Sequence, residues 1–380
     1  MDLKDYRQQI DTIDQELVRL FGQRMQVASD IAAYKKQNGL PVYDPARERD
    51  KLQEVSQLAE PAMRGYTERL YGMLFELSRT AQRQQSPEDA ALLMKIQDAV
   101  KNTPPLFPQK ALVACQGVEG ANSQSAAEKL FKTPNIMHFS SFDGVFSAID
   151  QGLCQYGVLP LENSTAGSVN RIYDLMMQHN FYVVRSTRLK IDHCLLANRG
   201  VQLKDIKEII SHEQALTQCE GFIKSLGNVK VTAVENTALA AKAVFESGRQ
   251  DVAALSSRQC AELYDLDIIK ASVQDSGSNF TRFICISRKL EIYPGADKTS
   301  MMMVLPHRPG SLYMALGRFW ALGINLNKLE SRPLAGSDFE FMFYFDLDTS
   351  VYGEEFTRLF ADIRSMCSEF RYLGSYTEVV

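Results

Sequence analysis

At 380 residues the chain is roughly two to three times the usual single-domain length, so several cores are expected rather than one. Apolar residues at 45% and charged residues at 23% exclude a disordered, collagenous or low-complexity chain. The net charge is -4, from 42 Lys and Arg against 46 Asp and Glu, and no basic tract stands out, which argues against nucleic acid as a partner.

The opening MDLKDYRQQI lacks the apolar centre of a secretory signal, and no apolar run is long enough to span a bilayer. A cytoplasmic protein with no membrane partner is expected. Leu3, Tyr6, Ile10, Ile13, Leu17, Leu20, Arg24, Val27, Ile31 and Tyr34 follow in steps of three and four, the seam of one long helix. Asn38, Gly39 and Pro41 stop it, and Asp44 before Pro45 reads as the cap and first turn of a second helix. Tyr66, Leu70, Met73 and Leu77 mark a third. A helix of about 35 residues runs about 50 Å, too long for one small three-helix unit to cover, so a second copy is inferred to cover it.

The stretch NTPPLFPQK, with three prolines, reads as a semi-rigid linker closing a helical segment that begins near residue 86. Beyond it, the apolar runs ALVAC, YGVLPL, VKVTAV and VAALSS alternate with helical patterns, an open α/β architecture. Two lobes are expected, because FYVVRSTRLKIDHCLLA is long enough to cross between them, with the strand TRFICISR returning to the first. The seven cysteines are scattered and absent before Cys115, which fits buried thiols rather than disulfides. With five scattered histidines and no CxxC, HExxH or carboxylate cluster, no metal or other cofactor is expected. After Pro294 and Gly295 the order strand, helix, strand, strand, helix, strand belongs to the ferredoxin-like α+β class.

Arg24 occupies a seam position whose neighbours are apolar, and a cation there calls for an anion. Lys35, eleven residues on, returns to within about 20° of the same face, whereas Arg7 falls well off it and is placed to serve the pocket of a partner. Taken from the helix alone, these cations and Arg47 read as solvated or paired surface charge. The segment VYDPARERD, with Ser78 and Gln82 four apart on the third helix, changes the balance. Arg7, Arg24, Lys35, Asp44, Arg47, Glu48, Ser78 and Gln82 resemble the motif of the all-α chorismate mutases over residues 1–85.

That resemblance implies an intertwined helical dimer that rearranges chorismate to prephenate. The reaction is pericyclic and needs only shape and charge placement. Arg7 from the other subunit and Arg24 would clamp the carboxylates with Arg47 and Ser78, Asp44 and Glu48 would hold the hydroxyl, and Lys35 and Gln82 would donate to the ether oxygen.

The loops LPLENSTAGSVN, SHEQALTQC and SNFTRF follow strands, where open α/β sheets place ligands, although each alone reads as turn or capping chemistry. Together, over residues 111–290, they resemble the prephenate dehydratases, a two-lobed, periplasmic-binding-protein-like fold with substrate in its cleft. The family implies Thr281 as donor to the departing hydroxyl, Arg282 and Phe283 shaping the cleft, and Glu162, Asn163, Ser164, Ser211, His212 and Gln218 orienting prephenate. This chain departs from the usual pattern at Cys115, Gln116, Asn122 and Glu213.

Within residues 298–377, HRPGSL and LESRP resemble the regulatory ACT domain, with His307 and Ser311 replacing the usual Asn and Ala. The implied ligand is phenylalanine, an allosteric inhibitor held by His307, Pro309, Gly310, Ser311, Leu312, Glu330, Ser331 and Arg332 between paired domains. The whole resembles the bifunctional chorismate mutase/prephenate dehydratases of phenylalanine biosynthesis, at least homodimeric. No GxGxxG follows a predicted strand, which argues against a mutase joined to a dehydrogenase. An amino-acid-responsive receptor is the competing class, but it needs neither TRF nor the N-terminal cations.

Overall fold

The structure, a computed structural model, describes residues 2–40, 44–82, 87–307, 309–334 and 340–380, without the side chains of Lys36, Pro45, Glu76, Thr80, Ala81, Gln82, Pro87, Glu88, Ala361 and Ser365. Two units emerge, Met1–Leu92 with Ala361–Ser365, and Leu93–Phe360 with Met366–Val380.

In the first unit the predicted seam forms helix α1 (Leu3–Gln37), followed by α2 (Pro45–Leu58) and α3 (Arg64–Gln82). Asp44 caps α2 by accepting from the Arg47 N–H at 3.0 Å, and Pro45 enters the first turn, where its missing N–H costs nothing. Both α1 and α2 pack on α3, burying Ala28, Val55 and Ser78. Most of the α1 stripe stays exposed: Leu3, Ile10, Ile13, Leu17, Val27 and Ile31 keep between 45% and 66% of their surface.

The boundary between the units falls within α4 (Pro87–Asn102), and the second unit continues with β1 (Leu112–Gln116), α5 (Asn122–Leu130), β2 (Asn135–Phe139), α6 (Phe142–Asp150), β3 (Tyr156–Asn163), β4 (Gly167–Ser168), α7 (Asn170–Gln178) and β5 (Tyr182–Lys190). The chain then crosses to β6 (Cys194–Ala197), β7 (Glu208–Ser211), α8 (Glu213–Gln218), α9 (Glu220–Ser225), β8 (Lys230–Ala233), α10 (Thr237–Ser247), β9 (Val252–Ser256), α11 (Arg258–Leu263) and β10 (Asp267–Lys270), and returns as β11 (Phe280–Ser287). The second lobe is a five-stranded sheet in the order β10-β6-β9-β7-β8. Thus 181–197 does cross between lobes, and TRFICISR does return to the first.

The last segment is β12 (Lys298–Val304), α12 (Ser311–Ala321), β13 (Asn325–Pro333), β14 (Phe341–Asp348), α13 (Glu354–Met366) and β15 (Glu369–Tyr376), a ferredoxin-like sheet ordered β13-β14-β12-β15. A short β16 (Glu378–Val379) leaves this sheet and pairs with β5, extending the first lobe to the order β16-β5-β11-β3-β1-β2, with β4 on β3.

The C-terminal sheet shares its core with the first lobe: Met302, Val304, Met342, Tyr344, Leu373 and Tyr376 pack with Val145, Ile149, Leu161, Ile172 and Tyr173. The backbones approach so closely that a Cβ on Gly374, whose φ is +140°, would lie 2.3 Å from the Val183 carbonyl oxygen. Arg371 reinforces the contact by donating to the carbonyls of Met176 and His179 at the end of α7. The proline-rich segment is more than a spacer, since Phe107 packs 4.9 Å from both Phe131 and Tyr293 on the opposite face of the first sheet. Six of the seven cysteines are buried free thiols, and Cys367 is partly exposed. Among the described residues no helix is long and apolar enough to cross a membrane, and no cluster of His, Cys, Asp and Glu could hold a metal ion.

Candidate active sites

Two segments, 191–193 and 271–279, join the lobes, and beside them opens a cleft of about 450 Å³. Asn163, at the end of β3, organises one wall. Its Oδ1 accepts from the N–H groups of Thr165 (3.0 Å) and Ala166 (2.9 Å), which fixes the amide orientation. Its Nδ2 must then donate, and does so to Thr281 Oγ1 at 2.9 Å and Asn279 Oδ1 at 2.7 Å. Because Thr281 accepts this bond, its own proton is left to donate into the cleft.

Gln218, at the end of α8, donates to Thr165 Oγ1 at 2.9 Å, while its Oε1 lies 3.0 Å from His193 Nε2 and accepts from Asn279 Nδ2 at 2.9 Å. Burial lowers the His193 pKa, against the opposing effects of Gln218 and Asp192, so the neutral ring donates from Nε2. His212 Nδ1 accepts from the Gln214 N–H at 3.2 Å, so neutral His212 also carries its proton on Nε2.

Asn163, His212, Gln218, Thr281 and Phe283 line the cleft together. Ser164 and Ser211 act beside it. Ser164 Oγ donates to the Ser278 carbonyl and accepts from the Phe280 N–H, clasping the Asn163 turn to β11, while buried Ser211 donates to the Leu255 carbonyl across β7 and β9. Glu162 and Arg282 correct the expectation that they meet substrate. Side chains alternate along a strand, so the neighbours of Asn163 and Thr281 face the C-terminal sheet instead.

Sequence reading did not single out His193, Glu235, Asn236, Thr237 or Asn279, which also line or brace the cleft. Asn236 had a legible signal, as the residue after a strand that caps α10 by accepting from the Leu239 N–H at 2.7 Å. Among the described residues, the charged and titratable groups lining the cleft are Glu235, His193 and His212, and Lys328 stands behind the lining, donating to Ser168. Carboxylates entering it would meet amide, hydroxyl and N–H donors.

In the helical unit, Arg24 and Ser78 come together. Arg24 Nη1 donates to Ser78 Oγ at 2.5 Å and to the Leu74 carbonyl at 3.1 Å, with the guanidinium 5.6 Å from the Phe75 ring centre. Glu48 pairs with Arg79 across α2 and α3. Lys35 is half-buried, and Asp44, Arg47 and Arg7 are exposed. The Gln82 side chain lies outside the described residues. Arg7 stands about 25 Å along the α1 axis from Arg24, beyond the reach of one pocket.

In the C-terminal sheet, Gly310 takes φ +86° immediately before α12, and the buried Ser311 Oγ has no hydrogen-bond partner among the described residues. His307, Pro309 and Ser331 are exposed, and Leu312 is half-buried. Glu330 and Arg332 correct the expectation that LESRP faces a ligand. Glu330 accepts from Ser168, and Arg332 grips Asp174 with two bonds of 2.8 and 3.0 Å, so alternation on β13 turns both toward the first lobe.

The chain thus joins a charge-placing helical unit to a unit with a two-lobed cleft built around a proton-bearing hydroxyl, the parts of an isomerase and a lyase. Comparison with known proteins makes the class specific. Residues 6–83 match the family Chorismate mutase type II, and residues 113–291 match Prephenate dehydratase. The chain is 30% identical to the bifunctional chorismate mutase/prephenate dehydratase of Aquifex aeolicus, over 100% of this chain and 99% of that protein. It is 40% identical to arogenate dehydratase/prephenate dehydratase 2, chloroplastic, of Arabidopsis thaliana, over 70% of this chain and 72% of that one. The solved prephenate dehydratase of Arthrobacter aurescens in complex with L-Phe matches with a TM-score of 0.65 and 26% identity, over 70% of this chain and 90% of that one.

The chain belongs to the bifunctional chorismate mutase/prephenate dehydratase family. It converts chorismate to prephenate and prephenate to phenylpyruvate, carbon dioxide and water.

Proposed function

We propose that two copies of the chain build each mutase pocket, that Thr281 assists the departing hydroxyl in the dehydratase cleft, and that phenylalanine bound to the C-terminal sheet inhibits dehydration. Arg24, Arg47 and Ser78, with Arg7 of a second copy, take the chorismate carboxylates. Asp44 and Glu48 hold its hydroxyl, and Lys35 and Gln82 donate to the ether oxygen as its bond breaks. The uncovered α1 seam supports the pairing, since covering each half-exposed Leu or Ile gains about 1 kcal/mol.

In the dehydratase, Asn163, His212 and Gln218 orient prephenate while Thr281 donates to the hydroxyl that leaves. Phe283, buried in the cleft wall, and a lining supplied mainly by neutral amides and hydroxyls leave the departing carboxylate poorly neutralised, which favours its loss as carbon dioxide. The observation that carries this reading is the Asn163 to Thr281 hydrogen bond, which leaves the threonine proton to be donated.

The C-terminal sheet serves as an ACT-type regulatory domain, with phenylalanine's carboxylate at the start of α12. The buried Ser311 hydroxyl there, without a partner among the described residues, supports a polar ligand, and the L-Phe complex of the Arthrobacter aurescens relative supports its identity. Exposed Tyr313 and Trp320, seven apart on α12, offer a pairing face. Buried thiols suit the reducing cytoplasm. Calorimetry of the full-length protein with phenylalanine, read beside phenylpyruvate formation, tests the regulatory reading. Binding heat accompanied by slower dehydration is expected, and no heat would leave the sheet a pairing module alone.

A further inference from the structure

Arg282 sits between two cleft residues, Thr281 and Phe283, yet its own side chain enters the C-terminal sheet. Arg282 is 5% exposed and its partner Asp346, on β14, is 0% exposed. The guanidinium pairs with Asp346, donates to the Tyr376 hydroxyl at 3.2 Å, and makes ion-pair contacts with Glu378 at 3.2 Å and Glu162 at 3.6 Å. Asp346 is itself braced, its Oδ1 accepting from Ser300 and Tyr376, each at 3.2 Å.

The same network reaches the neighbouring strands β3 and β4. Lys328 on β13 lies 3.0 Å from Glu162, the neighbour of Asn163, and donates at 2.7 Å to Ser168, a cleft residue. A buried ion pair adds little net stability compared with an apolar pair, so its location invites another role. Here the ladder between β11 and β3 shifts register between Arg282 and Phe283, while pairing with β5 runs on unbroken at that point, so on the β3 side pairing alone holds this segment less firmly.

We propose that Asp346 is a positioning residue for the dehydratase reaction: from the C-terminal sheet it holds Arg282, and through Arg282 it fixes the strand segment that presents Thr281 and Phe283 to prephenate. The inference rests on the reading of Thr281 as the donor. A displacement of about 1 Å at a reacting group costs about 100-fold in rate, so loosening this anchor acts on turnover before it acts on binding.

The test uses full-length Asp346→Asn and Asp346→Glu, with dehydratase kcat and KM measured where circular dichroism shows each variant folded. For Asp346→Asn, kcat is expected to fall about 10- to 100-fold with KM held within about threefold, and Asp346→Glu to recover part of the loss. A folded Asp346→Asn with wild-type kcat overturns the proposal. Should that variant not fold, Tyr376→Phe removes one bond to the guanidinium, and an unchanged kcat there overturns it equally. Thr281→Ala, assayed in parallel, separates the two readings. If it still dehydrates, the donor reading fails; if it is inactive while Asp346→Asn is fully active, the positioning role alone fails.

Discussion

Thr281 has the poorest intrinsic acidity of the groups that could assist a leaving hydroxyl, so its contribution comes from aim rather than proton release. Asn163 supplies the aim by occupying the threonine's lone pair from a fixed amide. Removing one preorganised donor of this kind costs about 100- to 1,000-fold in turnover. Thr281→Ala is therefore expected to lose phenylpyruvate formation by at least about 100-fold. Its mutase activity, housed in another unit, should remain at the wild-type rate. Separate assays of chorismate loss and phenylpyruvate formation check this, and near-normal dehydration by the variant would remove Thr281 from the chemistry. The residue was legible because TRF is specific, and so was its outward-facing neighbour in principle, since strands alternate. Arg282 was still misplaced, because nothing local to SNFTRF says that the far side of β11 is covered by a sheet beginning near residue 298.

At the scale of elements, apolar runs and caps located most strands and helices, because each buried strand is a short apolar run bounded by turn residues. Less visible was β16, whose two residues carry no periodicity and pair with β5, a strand far away in sequence. The joining segment 191–193 was legible as a crossing, but not as part of the cleft, since His193 acquires its partners from α8 and the return segment. Its histidine makes the segment pH-sensitive. Burial holds the His193 pKa below its ordinary 6.5, so the unfolded chain binds the proton more readily than the folded one. The stability contributed by the neutral ring is fully present above 6.5 and is lost as pH falls below that value toward the folded-state pKa. Urea unfolding of the full chain at pH 7.5, 6.5 and 5.5 should show the dehydratase unit weakening on acidification, with a shallower slope in His193→Gln, whose amide can still donate to Gln218. Identical slopes would mean that His193 binds its proton equally well in the folded and the unfolded chain.

At the scale of the whole molecule, one chain leaves most of the apolar seam of its first helix exposed. The α1 stripe is too apolar to face water along its length, and Arg7 and Arg24 stand about 25 Å apart on one rigid helix. In the proposed dimer a second, antiparallel copy covers the stripe and carries its Arg7 to the first chain's Arg24. This arrangement makes a prediction that no single-chain pocket can meet. Arg7→Ala and Arg24→Ala should each abolish mutase activity, because every pocket of either homodimer lacks one cation. When the two inactive proteins are unfolded together and refolded at equal concentration, half of the dimers are mixed. In each mixed dimer one pocket has lost both arginines while the other has regained both. Activity should therefore return to about a quarter of the wild-type value. Refolding each variant alone controls for recovery, and dehydratase activity normalises for protein. A mixture as inactive as its components would show that both arginines act within one chain or that neither pocket is shared.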